Sequence, residues 1–297
     1  MTTPAIPVAI QSDARASRGL WGDAVRRLVR NRPALLGLFF IAVFVLAAIF
    51  APFLAPYPPN EGSLVNRLQT PSREHIMGTD LQGRDEFSRI LYGAQVSLVA
   101  GVSSVVVGVL IGGTIGALAG GIGGKVDSVL MRVVDVMLSI PGILLAIGIV
   151  AWLDRGLPQI IFAVAIVNVP IFARILRGSL LSLRESDYVT ASRSLGASGS
   201  RLLLRHMLPN SLTPLIVACT LALATAIIDV AGLGFLGLGP PDPRTPEWGT
   251  MLTDSTKFLR QAPWLLFFPG AAIVISAIGF NLLGDGMRES LDPRMRR

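Results

Sequence analysis

Six stretches of about twenty apolar residues dominate the sequence, at roughly 34–56, 95–119, 129–153, 157–175, 212–233 and 264–283. A bilayer core of roughly 30 Å takes about 20 residues of α-helix to cross. Lipid offers no partner to a backbone N–H or C=O, so each stretch is expected to be helical. The sequence therefore predicts an all-α membrane protein of six transmembrane helices, the fourth being the shortest. Residues 1–33 form a basic N-terminal segment and residues 34–297 the six-span domain. Composition agrees: 52% of residues are apolar and 15% charged, with a mean hydropathy of +0.61. A soluble domain carries about 25% charged residues, so a soluble enzyme, a disordered chain and a fibrous protein are excluded. One Cys and two His exclude a disulfide framework and a histidine-rich metal centre. The N-terminus does not read as a cleavable signal, because 33 residues precede the first span and its apolar run is too long.

Orientation follows from the basic residues of the loops. Six Arg lie before the first span, two basic residues in the turn into the third, six Arg between the fourth and fifth, and four in the tail. That face holds 18 of the 26 basic residues, and the other holds 8. Both termini are thus expected in the cytoplasm, with outer loops at 57–93 and 236–263. The part at 14–33 reads either as an amphipathic segment on the inner leaflet or as a simple orientation signal.

The second span carries Gly108, Gly112, Gly116, Gly120 and Gly124, and Ser104 extends the row. Glycine costs roughly 1 kcal/mol against alanine inside a helix, so the spacing needs a reason. Small residues four apart let two helix backbones approach closely in lipid. The row drifts around the helix and can serve more than one neighbour. Pro141 and Pro170 place bends in the third and fourth spans, which suits either a gating bundle or static kinks. Intramembrane charge is sparse. Arg132 and Asp135 are spaced to pair on one face, Asp229 is open between lining a pathway and locking helices, and Cys219 reads as a small buried residue.

Three motifs imitate chemistry. Gly232-Leu233-Gly234-Phe235-Leu236-Gly237 has the letters of a dinucleotide loop but follows an apolar span and precedes prolines. Gly120-Gly121-Ile122-Gly123-Gly124-Lys125 lacks the opening Gly and the closing hydroxyl of a phosphate loop, and reads as a turn. His75, Asp80 and Asp85 are a thin ligand set for a metal. No metal site and no ATPase site are expected, nor is a nucleophile–base pair, and the chain is read as no enzyme.

The segment 176–211 is too long for a turn and reads as two short cytoplasmic helices, 184–195 and 200–208, divided at Gly196 and ended by Pro209. Gly196 fits a helix stop of positive φ. A bulky residue there is expected to press the two helices apart. In this segment Tyr188-Val189-Thr190-Ala191-Ser192-Arg193-Ser194-Leu195-Gly196-Ala197-Ser198, followed by Arg205-His206-Met207-Leu208-Pro209-Asn210, resembles the EAA coupling loop of ABC importer permeases. Thr190 stands at the family's Glu, Ser192 at its second Ala, and His206 at a hydrophobic position. His75-Ile76-Met77-Gly78-Thr79-Asp80-Leu81-Gln82-Gly83-Arg84-Asp85 is similar to the block before the second span of dipeptide, oligopeptide and nickel permeases. The stretches around Gly237 to Pro241, Trp248 to Leu252 and Phe268 to Arg294 are also similar. The pattern is that of the C-type permease.

The resemblance implies the type I ABC importer permease fold in a prokaryotic cell membrane. It implies a second permease, two ATP-binding subunits and an extracytoplasmic substrate-binding protein as partners, with ATP and Mg held by the partner subunits, no cofactor in this chain and no nucleic acid. It makes Tyr188, Thr190, Ala191, Ser192, Ser194, Leu195, Gly196, Ala197, Arg205, His206, Leu208 and Pro209 the surface that docks the ATPase. His75, Gly78, Asp80, Gly83, Arg84 and Asp85 either shape the outer entrance or brace a loop. Peptides are the leading substrate, nickel or another small solute the variant, and a self-sufficient secondary transporter or channel the competing class.

Overall fold

The structure, a computed structural model, describes residues 20–291; the rest of the basic segment and the tail beyond 291 lie outside them. The described residues are helical apart from turns and loops, with no strand among them. A short helix α1 (Leu20–Leu28) leads into α2 (Arg32–Leu54). Asn31 caps α2 by accepting the Ala34 N–H at 3.0 Å, and Pro33 sits in its first turn, where no N–H is needed.

The second span is longer than its apolar run. Helix α3 (Glu86–Ile122) has 37 residues, about 55 Å at 1.5 Å per residue, well beyond the hydrocarbon core. Asp85 starts it early by accepting the Ser88 N–H. Helices α4 (Gly124–Leu138) and α5 (Gly142–Leu153) replace the expected straight third span and meet at 92°. Proline explains the break, since Pro141 has no N–H and its ring pushes Ile140 out of helical geometry. Helix α6 (Leu157–Arg184) corrects the expectation for the fourth span. Its 28 residues run unbroken through Pro170, and the span is not short.

The glycine row meets α6. Cβ atoms built on Gly108 and Gly116 would stand 2.9 and 2.5 Å from the carbonyl oxygens of Ala165 and Ala173, Gly112 lies as tightly on Val169, and Gly120 on Leu180 and Arg177. These four glycines serve one neighbour rather than several. Gly124 is not part of the row: it opens α4 at φ +59° with nothing within 4 Å. Both numberings rise together, so α3 and α6 run parallel. Parallel neighbours need a return path between them, and α4 and α5 supply it. Among the described residues five helices are long and apolar enough to cross alone, or six where the bent pair counts as one span.

Arg132 and Asp135 do not pair. Asp135 accepts from Arg174 Nη2 at 2.6 Å, and Asp127 from Arg177, which ties α4 to α6.

After α6 come α7 (Asp187–Ser194), a single turn α8 (Gly199–Arg201), a wide π-helical turn at Leu202–Met207, and α9 (Leu208–Leu233). Pro209 therefore ends nothing. The wide turn before it makes room for the proline ring, and helix continues from Gly199 to Leu238. Helix α10 (Trp248–Ser255) packs beneath α9, and α11 (Trp264–Leu291) closes the bundle against α2 and α9. One core centres on Phe172, Leu176, Leu180 and Leu233, the other on Trp248, Ile227 and Phe280.

Candidate functional site

Chemically distinctive groups gather at the two ends of the bundle. At one end lies the α6–α9 connection. The sequence places helix formers through Arg184 and again after Ser186, and the true loop shrinks to the turns at 185–186 and 195–198. Gly196 holds φ +84°. Its N–H donates to the Arg193 carbonyl at 3.0 Å, and the Ala197 N–H to the Ser192 carbonyl at 3.1 Å. This is a Schellman stop, which requires a left-handed residue at its turn. Nothing lies within 4 Å of a Cβ at Gly196, so the first atom of a side chain there meets backbone strain and no neighbour. The expectation that it would press the helices apart is corrected.

Val189, Leu202 and Met207 anchor the connection in the core beside Leu180. Val189 stands out in the sequence as an apolar residue between polar ones, whereas Leu202 and Met207 have apolar neighbours and nothing local marks them as anchors. Gly121 of α3 abuts Leu203. On this seated frame Tyr188, Thr190, Ala191, Ser194, Leu195, Arg205 and Pro209 stand exposed, while Ser192, Ala197, His206 and Leu208 are half-buried. Leu195 is 89% exposed and Leu204 64%. Both are large apolar side chains held out on a connection whose other face is anchored in the core. The backbone is tightened further where Asn210 Nδ2 donates to the His206 carbonyl at 2.6 Å.

The opposite end joins loop 57–93 to loop 236–263. His75 Nδ1 bonds Asp85 Oδ1 at 2.9 Å. Asp80 accepts the Arg84 N–H at 2.9 Å and Arg84 Nε at 2.6 Å, and Arg89 Nε stands 3.6 Å away. Arg84 Nη1 then donates to the Pro243 carbonyl at 2.8 Å, and Arg89 Nη1 to Pro59 at 3.0 Å. Gly78 and Gly83 turn the chain at φ +78° and +72°. The six residues singled out from sequence thus come together, but His75, Asp80, Arg84 and Asp85 are all buried. Of these, Asp80 and Arg84 line a void of about 10 Å³ together with Glu86, Arg89, Met251 and Asp254, room for about one water. Their geometry is that of a brace between two loops.

Glu247 was not singled out. It is fully buried and caps α10, accepting Gly249 N–H at 2.8 Å and Thr250 N–H at 2.9 Å, with Ser97 Oγ at 3.4 Å. Burial pushes its carboxyl up to about 7, against the pull of those donors. Burial also raises Asp254, while Arg84 and Arg89 hold it down. Beside Glu247, Trp248 Nε1 donates to the Ile90 carbonyl at 3.2 Å and its ring meets Phe44 edge-on. Of the glycines of 232–239, so like a nucleotide loop in letters, Gly234 packs against the Glu247 carboxylate and Gly239 against Thr250, while Gly237 turns the chain at φ +79° in open space.

The profile described as "Binding-protein-dependent transport system inner membrane component" matches residues 112–297, and that described as "N-terminal TM domain of oligopeptide transport permease C" matches residues 19–71. A dipeptide transport system permease of Alkalihalophilus pseudofirmus is 48% identical over 277 residues, covering 93% of this chain and 90% of that protein. A glutathione transport system permease of Escherichia coli is 44% identical, covering 93% and 91%. A putative peptide transport system permease of Brucella abortus is 45% identical, covering 91% of each. A chain of the inward-facing MetNI methionine ABC transporter superposes with a TM-score of 0.58 at 21% identity, covering 69% of this chain and 96% of that one. This last likeness concerns the fold alone.

Proposed function

The chain belongs to the family of binding-protein-dependent transport system inner membrane components, and from that premise we propose that it is the C-type permease of an ATP-driven peptide importer, forming half of the pathway. The exposed Leu195, held by the Schellman stop at Gly196 on a core-anchored frame, carries the reading. That surface is where an ATP-binding subunit docks. Closure of two such subunits on ATP and Mg pulls α7 and, through Val189 and Leu202, the parallel pair α3–α6. The described residues hold the pathway half, and hydrolysis belongs to the partners. Both termini and the α7 end face the cytoplasm. Loops 57–93 and 236–263, clamped by Arg84 on Pro243, face the extracytoplasmic binding protein. Peptides are the substrate on the strength of the relatives' names.

The test is reconstitution of this chain with the second permease and two ATP-binding subunits in proteoliposomes, with the binding protein outside. Uptake of a labelled dipeptide that needs both ATP and binding protein supports the proposal. Uptake of a nickel chelate with no peptide uptake would move the substrate. Uptake by this chain alone, driven by an ion gradient, would overturn the proposal.

A further inference from the structure

Where α1 turns into α2, the chain lies over the last turns of α11 and leaves an open cleft of about 290 Å³. Arg27, Arg30, Asn31, Gly286, Glu289 and Ser290 line it. Gly286 permits the approach, because a Cβ there would collide with Ala34 and stand 3.4 Å from Leu28 Cδ1. Glu289 is the acidic residue of the lining, and its Oε2 already accepts from Asn31 Nδ2 at 2.7 Å. Ser290 Oγ is likewise engaged, donating to the Met287 carbonyl at 3.0 Å. Arg27 and Arg30 enter no ion pair among the described residues. Two arginines against one carboxylate leave the cleft with a net positive charge, and that carboxylate is held at one oxygen by Asn31 of the same lining.

Its height in the membrane is fixed by the chain itself. Helix α2 leaves the cleft at Arg32 and runs directly into apolar residues, and α11 arrives there from its own apolar run. The cleft thus sits where hydrocarbon gives way to headgroups. A guanidinium matches the oxygens of a phosphate with paired N–H donors, and basic clefts between helix ends at the membrane surface collect anionic headgroups. We propose that this cleft binds the phosphate of an anionic phospholipid, with Arg27 and Arg30 as its ligands. The inference rests on the membrane placement of the chain and not on the identity of the transported solute.

The experiment uses the whole transporter complex, purified and placed in nanodiscs of phosphatidylcholine with or without phosphatidylglycerol. Each Arg near an anionic surface is worth roughly fivefold in lipid binding. Retention of phosphatidylglycerol by native mass spectrometry should therefore fall roughly twenty-five-fold in the Arg27→Ala, Arg30→Ala double variant. The Lys125→Ala, Arg132→Ala double variant removes the same charge from α4 and should retain the lipid. Both arginine side chains lack hydrogen bonds to the protein among the described residues, so the variant complex should assemble normally, which its subunit stoichiometry checks. Equal loss in both double variants would mean bulk attraction and overturn the site. So would unchanged retention in the arginine variant. Inorganic phosphate that displaces the lipid from the wild-type complex at millimolar concentration would mean a soluble anion site instead, and would also overturn it.

Discussion

A methyl group on Gly116 would stand 2.5 Å from the carbonyl oxygen of Ala173, so at this point α3 and α6 touch through their backbones. The first prediction follows from this contact. Gly116→Leu forces the two helices apart, at about 1–3 kcal/mol or more for overpacking. Gly113→Leu is the control, because a Cβ there meets only Leu176 Cδ2 at 3.8 Å. Thermal unfolding of the purified complex should show a lowered midpoint for Gly116→Leu and a much smaller change for Gly113→Leu. Equal midpoints would mean that the close approach is not what the row is for.

The row was legible because its spacing is local; its partner was not. Whether Gly116 meets Ala173 depends on α3 and α6 running parallel, and that depends on a return path whose 92° bend no local pattern prints. Pro141 marked the place of the bend and not its size. Asp135 shows the same limit. Sequence spacing exposes Arg132, three residues away, while the actual partner Arg174 lies 39 residues on. At the braced end, His75, Asp80, Arg84 and Asp85 were legible as a group because they are contiguous. A run of polar residues reads as surface, and only the fold shows that these are buried. Gly196 was the most readable of all, since a helix stop needs a left-handed residue at a definite place.

The second prediction concerns pH. Glu247 has its carboxyl raised from 4.5 to about 7 in the folded protein. Between those two values the folded state holds a proton that the unfolded state releases. Stability therefore falls as pH rises from about 4.5 to about 7, and levels off above it. The full span corresponds to ~3 kcal/mol as an order of magnitude. Hydrogen exchange of amides 247–255 should be slower at pH 5 than at pH 7.5 once intrinsic rates are removed. Glu247→Gln should abolish the pH dependence while weakening the cap, because an amide oxygen can replace only one of the two acceptors bonded to Gly249 and Thr250. A Gln variant with the same pH dependence would assign it to another group.

The third prediction is topological. Cysteines are placed at Val65, which is 90% exposed, and at Thr245, in a chain whose Cys219 is replaced by alanine. An impermeant maleimide added to intact cells should label both. Thr190→Cys and Arg288→Cys, at the opposite end, should react only after the cells are opened. Outside labelling at position 190 would invert the bundle and remove the docking surface from the side where ATP is found.

The fourth prediction separates coupling from folding. Gly196 sits at φ +84° with open space around its Cα. The Cβ of an arginine there meets no atom within 4 Å, and the left-handed backbone costs it about 1 kcal/mol or more. That is too little to unfold a bundle anchored at Val189, Leu202 and Met207, but enough to loosen the stop that holds Leu195 out. Gly196→Arg should therefore insert and pair with the second permease normally. It should lose the stimulation of ATP hydrolysis by loaded binding protein, and uptake with it. Leu195→Ser keeps the backbone and removes the exposed apolar group, so it should weaken retention of the ATP-binding subunits. Thr190→Glu, which restores the residue of the EAA pattern at an exposed position, should be tolerated. The measurement is ATPase activity of each reconstituted complex with and without loaded binding protein. Full stimulation in both Gly196→Arg and Leu195→Ser would show that force does not pass through α7. The route would then have to run through the α3–α4 turn, where Gly121 already touches Leu203 of the same connection.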